Sequence, residues 1–317
     1  MRYMIVVLVF IILACSKRES RSEAATETEA RAAAETGAVP ALEAEPHKAQ
    51  LTWVEPPTVE LVGAGKPPLR KIRWSFQEGA KEVLVVSTRQ VHQMRGGPWD
   101  DRFVPTGIVQ TIDFATNAVS ADGSAEVAFH IREVAELETP DANSPSLLGA
   151  EGWTGTYKID STGVIQDLVL VPSPGSKYTP PQMAALNGAI RWTVFPIPTA
   201  AIGVGAKWTV TQVVHEDRIP MNLRMAIELV DLTGSDMLLR VEIKGSGTRK
   251  DSTGDKEQTI SMDVDVRHLV KVSSTKLVPR SSEFENHTIQ TVKVAGVDGP
   301  MGQLDVIIDR TVKMQSN

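Results

Sequence analysis

The chain has 317 residues, a formal net charge of -6 at neutral pH and a single cysteine. The acidic balance argues against a nucleic-acid partner, because phosphate binding requires clustered Lys and Arg. Hydrophobic residues make up 42% of the chain, which is enough for a sizeable core. One cysteine cannot form an internal disulfide, so the fold must be stabilised by ordinary burial.

The first fifteen residues predict an export signal. Arg2 precedes an unbroken apolar run from Met4 to Ala14, and Cys15 follows at once. The run is shorter than the roughly 20 apolar residues that span a membrane, but it has the length of a signal-peptide core. We therefore expect residues 1–14 to be a signal peptide and the rest of the chain to be exported.

The residues at this junction, Ile12-Leu13-Ala14-Cys15, resemble the lipobox of bacterial lipoproteins. The resemblance implies cleavage before Cys15, attachment of lipid, such as palmitate, to that residue, and a location in the bacterial cell envelope. Two or three acyl chains would hold the protein firmly on a membrane, since each buried methylene contributes about 0.8 kcal/mol. Ser16 in the next position is compatible, by the same resemblance, with the outer membrane of a Gram-negative cell. The alternative is a buried thiol on an uncleaved N-terminal helix.

Residues 15–50 predict a disordered tether that starts at the lipidated cysteine. Ser, Thr, Ala and Glu dominate this segment and large apolar residues are almost absent. Such a composition cannot bury enough surface to offset the entropy of ordering. Residues 51–317 are then the folded domain.

Alternation with a period of two dominates the folded domain. In the clearest case apolar residues fill every odd position of one run: Ile219, Met221, Leu223, Met225, Ile227 and Leu229. A strand with this pattern has one apolar face. Further runs predict strands at Ile72–Phe76, Ala125–Ile131, Leu239–Ile243, Ile260–Val266 and Leu304–Ile308.

Short turn signals separate these runs and predict hairpin loops. The signals are Gln77-Glu78-Gly79, Ala121-Asp122-Gly123, Asp160-Ser161-Thr162-Gly163, Thr233-Gly234-Ser235-Asp236 and Asp298-Gly299. Strands joined in this way form an antiparallel meander. We therefore predict a mainly β fold, a large curved antiparallel meander that is half-barrel or sandwich-like.

One amphipathic helix is expected near residues 180–192. Thr179 is a good N-cap, Pro180 suits the first helical position, and Met183, Leu186 and Ile190 recur at helical spacing. A helix in mid-chain suggests two β halves, 51–198 and 199–317.

Motifs for catalysis, metal binding or cofactor binding are not found in the sequence. No two of the six histidines have a metal-ligand spacing, and the Gly-x-Ser-x-Gly nucleophile elbow is missing. The densest polar cluster, His215-Glu216-Asp217, is interpreted as a strand end, with a metal or acid-base site as the alternative. His130 and His268 interrupt strands and are expected to be edge or solvent-facing residues. We expect no enzyme activity and no cofactor.

Two weaker resemblances concern the folded domain. The run Val204-Gly205-Ala206-Lys207-Trp208-Thr209-Val210 is similar to a strand entry in β-rich envelope lipoproteins of undefined activity. The expected architecture, a curved sheet with a helix across it, resembles the half-barrel carriers of the Lol type, which hold lipidated proteins.

Two non-catalytic roles are consistent with these observations. The first is a membrane-anchored lipoprotein with a structural or protein-interaction role and an envelope protein as partner. The alternative is a carrier of an acyl chain, lipid or other apolar ligand on the concave face of the sheet. Met221, Met225 and Met262 would line that face, because methionine adapts to irregular ligands.

Overall fold

A computed structural model describes the folded domain as a single antiparallel sheet. The described residues are 49–51, 56–96, 106–137, 150–174, 190, 193–216, 219–253, 256–294 and 302–316. The strands are β1 (Ala49–Leu51), β2 (Thr58–Gly63), β3 (Lys81–Arg95), β4 (Thr106–Val119), β5 (Ala125–Glu136), β6 (Thr154–Ile159), β7 (Ile165–Val171), β8 (Lys207–Glu216), β9 (Ile219–Thr233), β10 (Asp236–Thr253), β11 (Lys256–Ser273), β12 (Ser281–Val294) and β13 (Gln303–Ser316). The predicted mainly β, antiparallel fold is confirmed.

The order of the strands divides the sheet into two meanders. The order is β1-β7-β6-β5-β4-β3-β13-β12-β11-β10-β9-β8-β2. Strands β3 to β7 follow each other in one half, β8 to β13 in the other, and the halves meet where β3 pairs antiparallel with β13. The two regions 51–198 and 199–317 thus contribute to one continuous sheet. Its first strand begins at Ala49, inside the segment that the sequence predicts to be tether.

Two hydrogen bonds from neighbouring residues show that the sheet is curved. Trp74 N donates to Ser161 O in the β6–β7 turn at 2.9 Å, and Ser75 N donates to Ser274 O in the β11–β12 turn at 2.8 Å. Because Trp74 and Ser75 are adjacent, the two carbonyl oxygens lie within about 10 Å of each other. Strands β6 and β12 are five steps apart in the sheet, which would be roughly 24 Å in a flat sheet. The sheet must therefore bend towards itself.

Two irregular segments, 64–80 and 193–206, fill the hollow at one end of the curved sheet, which we call the packed end. Their aromatic side chains join the main hydrophobic core. Trp74 Nε1 donates to Phe195 O at 3.2 Å, and Trp208 Nε1 donates to Pro196 O at 2.9 Å, so the buried indoles are satisfied. Gly163 has a φ of +88°, and a Cβ there would lie 2.5 Å from Trp74 Nε1.

Several turn predictions are confirmed at the packed end. The β9–β10 hairpin has the two-residue loop Gly234-Ser235, in which Gly234 has a φ of +62°. Tight loops of this kind require a positive φ, which explains the glycine. The signals at 77–79, 121–123 and 160–163 also lie in turns. Asp298-Gly299 lies outside the described residues.

Two sequence predictions about this end are wrong. Ile72–Phe76 is not a strand, although its alternate side chains are buried, because its backbone bonds to two separate turns instead of to a neighbouring strand. His268 is not solvent-facing: it is 4% exposed in the core and contacts Phe284 and Phe195 with ring centroids 5.1 and 5.4 Å away. Neighbouring aromatic side chains, which the local pattern does not reveal, cover this polar residue.

The helix predicted near 180–192 lies almost wholly outside the described residues. Within that span only Ile190 is described, and its side chain is fully buried. Thr193 Oγ1 donates to Ile190 O at 2.7 Å, which ties the following segment to this point. In the described part of the chain, no helix has the length and apolar character needed to cross a membrane.

Candidate functional site

The methionines predicted to form a ligand face all lie on the inner face of the sheet, the face that carries the core. Met225 is 4% exposed and belongs to the main core. Met221 and Met262 are 1% and 7% exposed and belong to a second, smaller cluster away from the packed end, which we call the far cluster. Its other buried members are Val214, Ile219, Ile260 and Val292.

Two glycines of β10 explain how the far cluster packs. Gly247 is paired with Met221 on one side and Met262 on the other, and Gly245 is paired with Leu223 and Val264. A Cβ on Gly247 would lie 2.7 Å from Met221 Sδ, and a Cβ on Gly245 would overlap Leu223 Cδ2. The side chains of β9 therefore lie over the glycine positions of β10. Met221 and Met262 are part of the protein's own packing.

A band of polar residues interrupts the inner face between the main core and the far cluster. Gln90 on β3, Arg310 on β13 and Asn286 on β12 are directly paired across three neighbouring strands. Their Cβ atoms are therefore about 5 Å apart in a row. The next row of inward-facing residues on these strands lies nearer the far cluster. In that row Ile308 on β13 is paired with His92 on β3 and with Thr288 on β12. We call these residues, Gln90, His92, Asn286, Thr288 and Arg310, the polar band.

Burial is uneven across the polar band. Gln90 and Thr288 are 6% and 8% exposed, whereas Arg310, Asn286 and His92 are half-buried. Thr288 Oγ1 donates to Asn286 Oδ1 at 3.0 Å. The band therefore combines an internal hydrogen bond with side chains that are still partly exposed.

His92 is held neutral by its surroundings. Its Nε2 atom is buried and has no hydrogen-bond partner within the described ranges. Burial, and secondly the positive charge of Arg310, lowers the pKa of His92. Both effects disfavour the imidazolium form. Near neutral pH the band therefore carries its positive charge on Arg310.

The one carboxylate among the described inward positions of β3, β12 and β13 is Glu82, and it is engaged at the packed end. It accepts hydrogen bonds from Leu277 N at 3.0 Å and Val278 N at 3.3 Å. Glu82 therefore anchors the loop between β11 and β12. Burial and, less strongly, the negative charge of this carboxylate raise the pKa of Tyr157 in the same core.

Apolar side chains beside the polar band remain partly accessible. Leu223, Val264, Val306 and Ile308 are half-buried and face inward. Leu223 and Val264 pack against the far cluster, and Val264 also packs against the main core. We call these four residues the apolar strip. The band and the strip together place polar, hydrogen-bonding side chains beside partly accessible apolar surface on the inner face.

The other predicted site residues are placed as follows. Cys15 lies outside the described residues, as does Asp217. His215 and Glu216 form the end of β8, as the sequence predicts, but their side chains are not described. Across the described ranges, no group of three or more His, Cys, Asp or Glu side chains could hold a metal ion.

Sequence reasoning missed the polar band, although part of the signal was present. The even-numbered residues of β13 face inward, and the first three of them, Leu304, Val306 and Ile308, are apolar. The fourth is Arg310, and apolar residues follow it again at Val312 and Met314. A basic residue at one of the alternating apolar positions can be recognised from the sequence of a single strand. The pairing of Arg310 with Gln90 depends on the contact between β13 and β3, which are far apart in the sequence.

The opposite, outer face of the sheet is solvated and charged. A shallow groove of about 980 Å³ crosses β3, β13, β12, β11 and β10 there. Exposed ion pairs flank it, with Lys313 Nζ 3.0 Å from Glu283 Oε1 and Arg240 Nη1 2.7 Å from Glu228 Oε2. Such exposed pairs stabilise a fold little. Leu269 is the large apolar side chain of the groove that is most exposed, at 50%.

Comparison with known proteins assigns no family. No protein-family model matches the chain, and no curated protein is significantly similar to it. No catalytic family or homologue is therefore identified. Among solved structures, a mutant form of Rh. blastica porin aligns with 75% of this chain and 100% of its own at 8% identity. The TM-score is 0.23, which is too low for this similarity to bear on fold or function.

Proposed function

We propose that this protein is a lipoprotein of the bacterial envelope with a non-catalytic, structural or protein-interaction role. The observation that carries the proposal is the single cysteine of the chain, placed directly after the apolar run from Met4 to Ala14. Lipid on Cys15 would hold the protein on a membrane, and the β domain would extend into the aqueous envelope. In a Gram-negative cell the membrane would be the outer one.

The packing of the domain supports a structural role. The largest side chains of the inner face, including Trp74, Trp153, Trp208 and Phe195, are buried within the protein's own core. The inner face at the packed end is thus occupied by the chain itself. The outer face, with its charged groove, remains accessible to a protein partner.

Membrane fractionation tests the anchor. We expect the wild-type protein to sediment with membranes and to resist a high-salt wash, because acyl chains and not surface charge would retain it. A full chain with Cys15→Ala, exported through a cleavable signal peptide in place of residues 1–14, should be in the soluble fraction. Ser16→Ala, which keeps the cysteine, is the matched control and should stay with the membrane. A soluble wild-type protein would refute the proposal.

A second candidate function, ligand carriage on the inner face, is supported by the far half of the sheet. There His92, Asn286 and Arg310 of the polar band are half-buried, as are all four residues of the apolar strip. The inner face there carries the polar side chains of the band beside the apolar strip, and a few polar groups on a largely apolar surface are typical of ligand sites. This candidate retains the carrier role with a different set of contact residues from Met221, Met225 and Met262.

A further inference from the structure

We propose that the packed end docks on an anionic membrane surface through two adjoining loops, 62–71 and 203–207. This contact goes beyond the lipid anchor and does not depend on acylation of Cys15. Its basis is the juxtaposition of exposed apolar and exposed basic side chains beside β2, the last strand of the sheet. These side chains, which we call the loop patch, are Val62, Leu69 and Val204 with Lys66, Arg70, Lys71 and Lys207.

Close backbone contacts hold the two loops side by side. Lys66 N donates to Val204 O and Gly203 N donates to Ala64 O, both at 2.8 Å. A Cβ on Gly203 would overlap Lys66 O, so the loops approach this closely only because residue 203 is glycine. The same Cβ would lie 3.1 Å from Leu69 Cδ2, which places the leucine over the glycine and next to Val204. The loop patch is therefore one continuous surface.

The local backbone explains why the valines of the loop patch are exposed. Val62 is the extra residue of a bulge between β2 and β8, and it is 67% exposed. Bulges re-aim a side chain in this way. Val204 is the second residue of a tight turn, closed by a hydrogen bond of 2.9 Å from Ala206 N to Gly203 O. Gly205, the third residue, has a φ of +81°, as a type II turn requires.

The apolar members form a concentrated exposure for this protein. Three of the five large apolar side chains that are exposed in the described part of the chain belong to the loop patch. Every residue from 65 to 71 is exposed as well. Apolar side chains clustered on a surface mark a contact with a partner or a membrane.

The basic members give the loop patch a local positive charge, although the whole chain has a formal net charge of -6. Lys66, Lys71 and Lys207 are exposed, and no carboxylate in the described ranges forms an ion pair with them. Arg70 donates a hydrogen bond to Gly234 O, a neutral group that leaves the charge of the guanidinium in place.

The carboxylates of the adjoining strands offset this charge only in part. Glu228 is paired with Lys207 across β8 and β9, but it forms an ion pair with Arg240 at 2.7 Å. Glu60 on β2 then stands against four basic residues. Cations beside protruding apolar side chains match a membrane, because the cations attract anionic head groups and the apolar groups enter the interface. An acidic protein would match the charges alone.

The contact is weak by itself and adds to the lipid anchor. Each Lys or Arg beside an anionic surface strengthens binding roughly fivefold. Salt screens this attraction, so a high-salt wash releases the contact and leaves retention to the acyl chains.

Co-sedimentation with vesicles tests the proposal on the unlipidated full chain, Cys15→Ala, exported through a cleavable signal peptide in place of residues 1–14. The vesicles contain equal parts of dioleoyl phosphatidylglycerol and dioleoyl phosphatidylcholine, or dioleoyl phosphatidylcholine alone. At low salt we expect roughly tenfold stronger binding to the anionic vesicles, and loss of this preference at about 0.5 M sodium chloride. Because the chain carries no lipid on residue 15, the result is independent of the anchor.

Paired lysine variants assign the binding to the loop patch. Lys66→Gln combined with Lys71→Gln should weaken binding to anionic vesicles by roughly tenfold or more. Lys244→Gln combined with Lys250→Gln removes two exposed lysines of β10, which is the same change in net charge, and should leave binding unchanged.

A leucine pair tests the apolar contribution. Leu69→Ser should weaken binding about fivefold, because the side chain no longer gains from leaving water. Leu269→Ser, at a leucine on the outer face that is 50% exposed, is the matched control and should have no effect.

The outcomes decide between a membrane and other partners. Equal binding to both kinds of vesicle, absence of binding, or equal weakening by the two lysine pairs would overturn the proposal. Binding to immobilised polyglutamate that requires Lys66 and Lys71, without binding to anionic vesicles, would assign the loop patch to an acidic protein and also overturn it. None of these results would affect the lipid anchor, which the acylated protein tests separately.

Discussion

Replacing Trp208 with alanine is expected to destabilise the domain by roughly 3–5 kcal/mol, the usual cost of removing a large aromatic residue from a core. Trp208 is 1% exposed at the start of β8, and its indole also donates to Pro196 O at 2.9 Å. The variant thus loses both packing and the bond that holds segment 193–206 inside the hollow. Chemical denaturation followed by far-ultraviolet circular dichroism, which does not depend on tryptophan emission, measures the change.

Two further variants separate the causes of this loss. Trp208→Phe keeps most of the volume and loses the hydrogen bond, so we expect an intermediate cost of about 1–3 kcal/mol. Leu269→Ala on the outer face, where the side chain is 50% exposed, should cost less than about 1 kcal/mol. If Trp208→Ala cost as little as Leu269→Ala, segment 193–206 would not fill the hollow.

The second large effect concerns pH. Burial lowers the pKa of His268 from 6.5 to about 4. The folded protein therefore holds this histidine neutral in a range where the unfolded chain protonates it. Its contribution to stability is fully present above pH 6.5 and is lost as the pH falls towards 4, by roughly 3 kcal/mol in all. His92, whose pKa is also lowered, acts in the same direction.

Comparison of the free energy of unfolding at pH 7 and pH 4.5 isolates the contribution of His268. In His268→Gln the difference between the two pH values should be smaller than in the wild-type protein by about 2–3 kcal/mol. Val270→Ala, a change in the same core without a titrating group, should lower stability equally at both pH values. An unchanged pH difference in His268→Gln would mean that His268 is accessible to protons in the folded state.

The strand architecture could be predicted because it is a local property of the chain. Alternation in Ile219–Leu229 and the turn at Thr233–Asp236 each depend on a few neighbouring residues, and β9 and its hairpin follow from them. The same local signal was misleading at Ile72–Phe76. There the alternate burial comes from packing into the hollow of a curved sheet and not from strand pairing.

The candidate site could be predicted only in part, because it depends on contacts between distant strands. The inward orientation of Met221, Met225 and Met262 follows from their phase within each strand. Whether an inward residue faces open space or a neighbour depends on glycines of another strand, as Gly245 and Gly247 show. The polar band likewise exists only because β13 pairs with β3, an arrangement that no local pattern specifies.

Incorporation of radiolabelled palmitate tests the lipid anchor most directly. Cells producing the full-length protein with an affinity tag at the C-terminus are labelled, and the tagged protein is isolated under denaturing conditions. We predict label in the wild-type protein and none in Cys15→Ala, because Cys15 is the one cysteine of the chain. An unlabelled wild-type protein, or equal label in Cys15→Ala, would contradict the account.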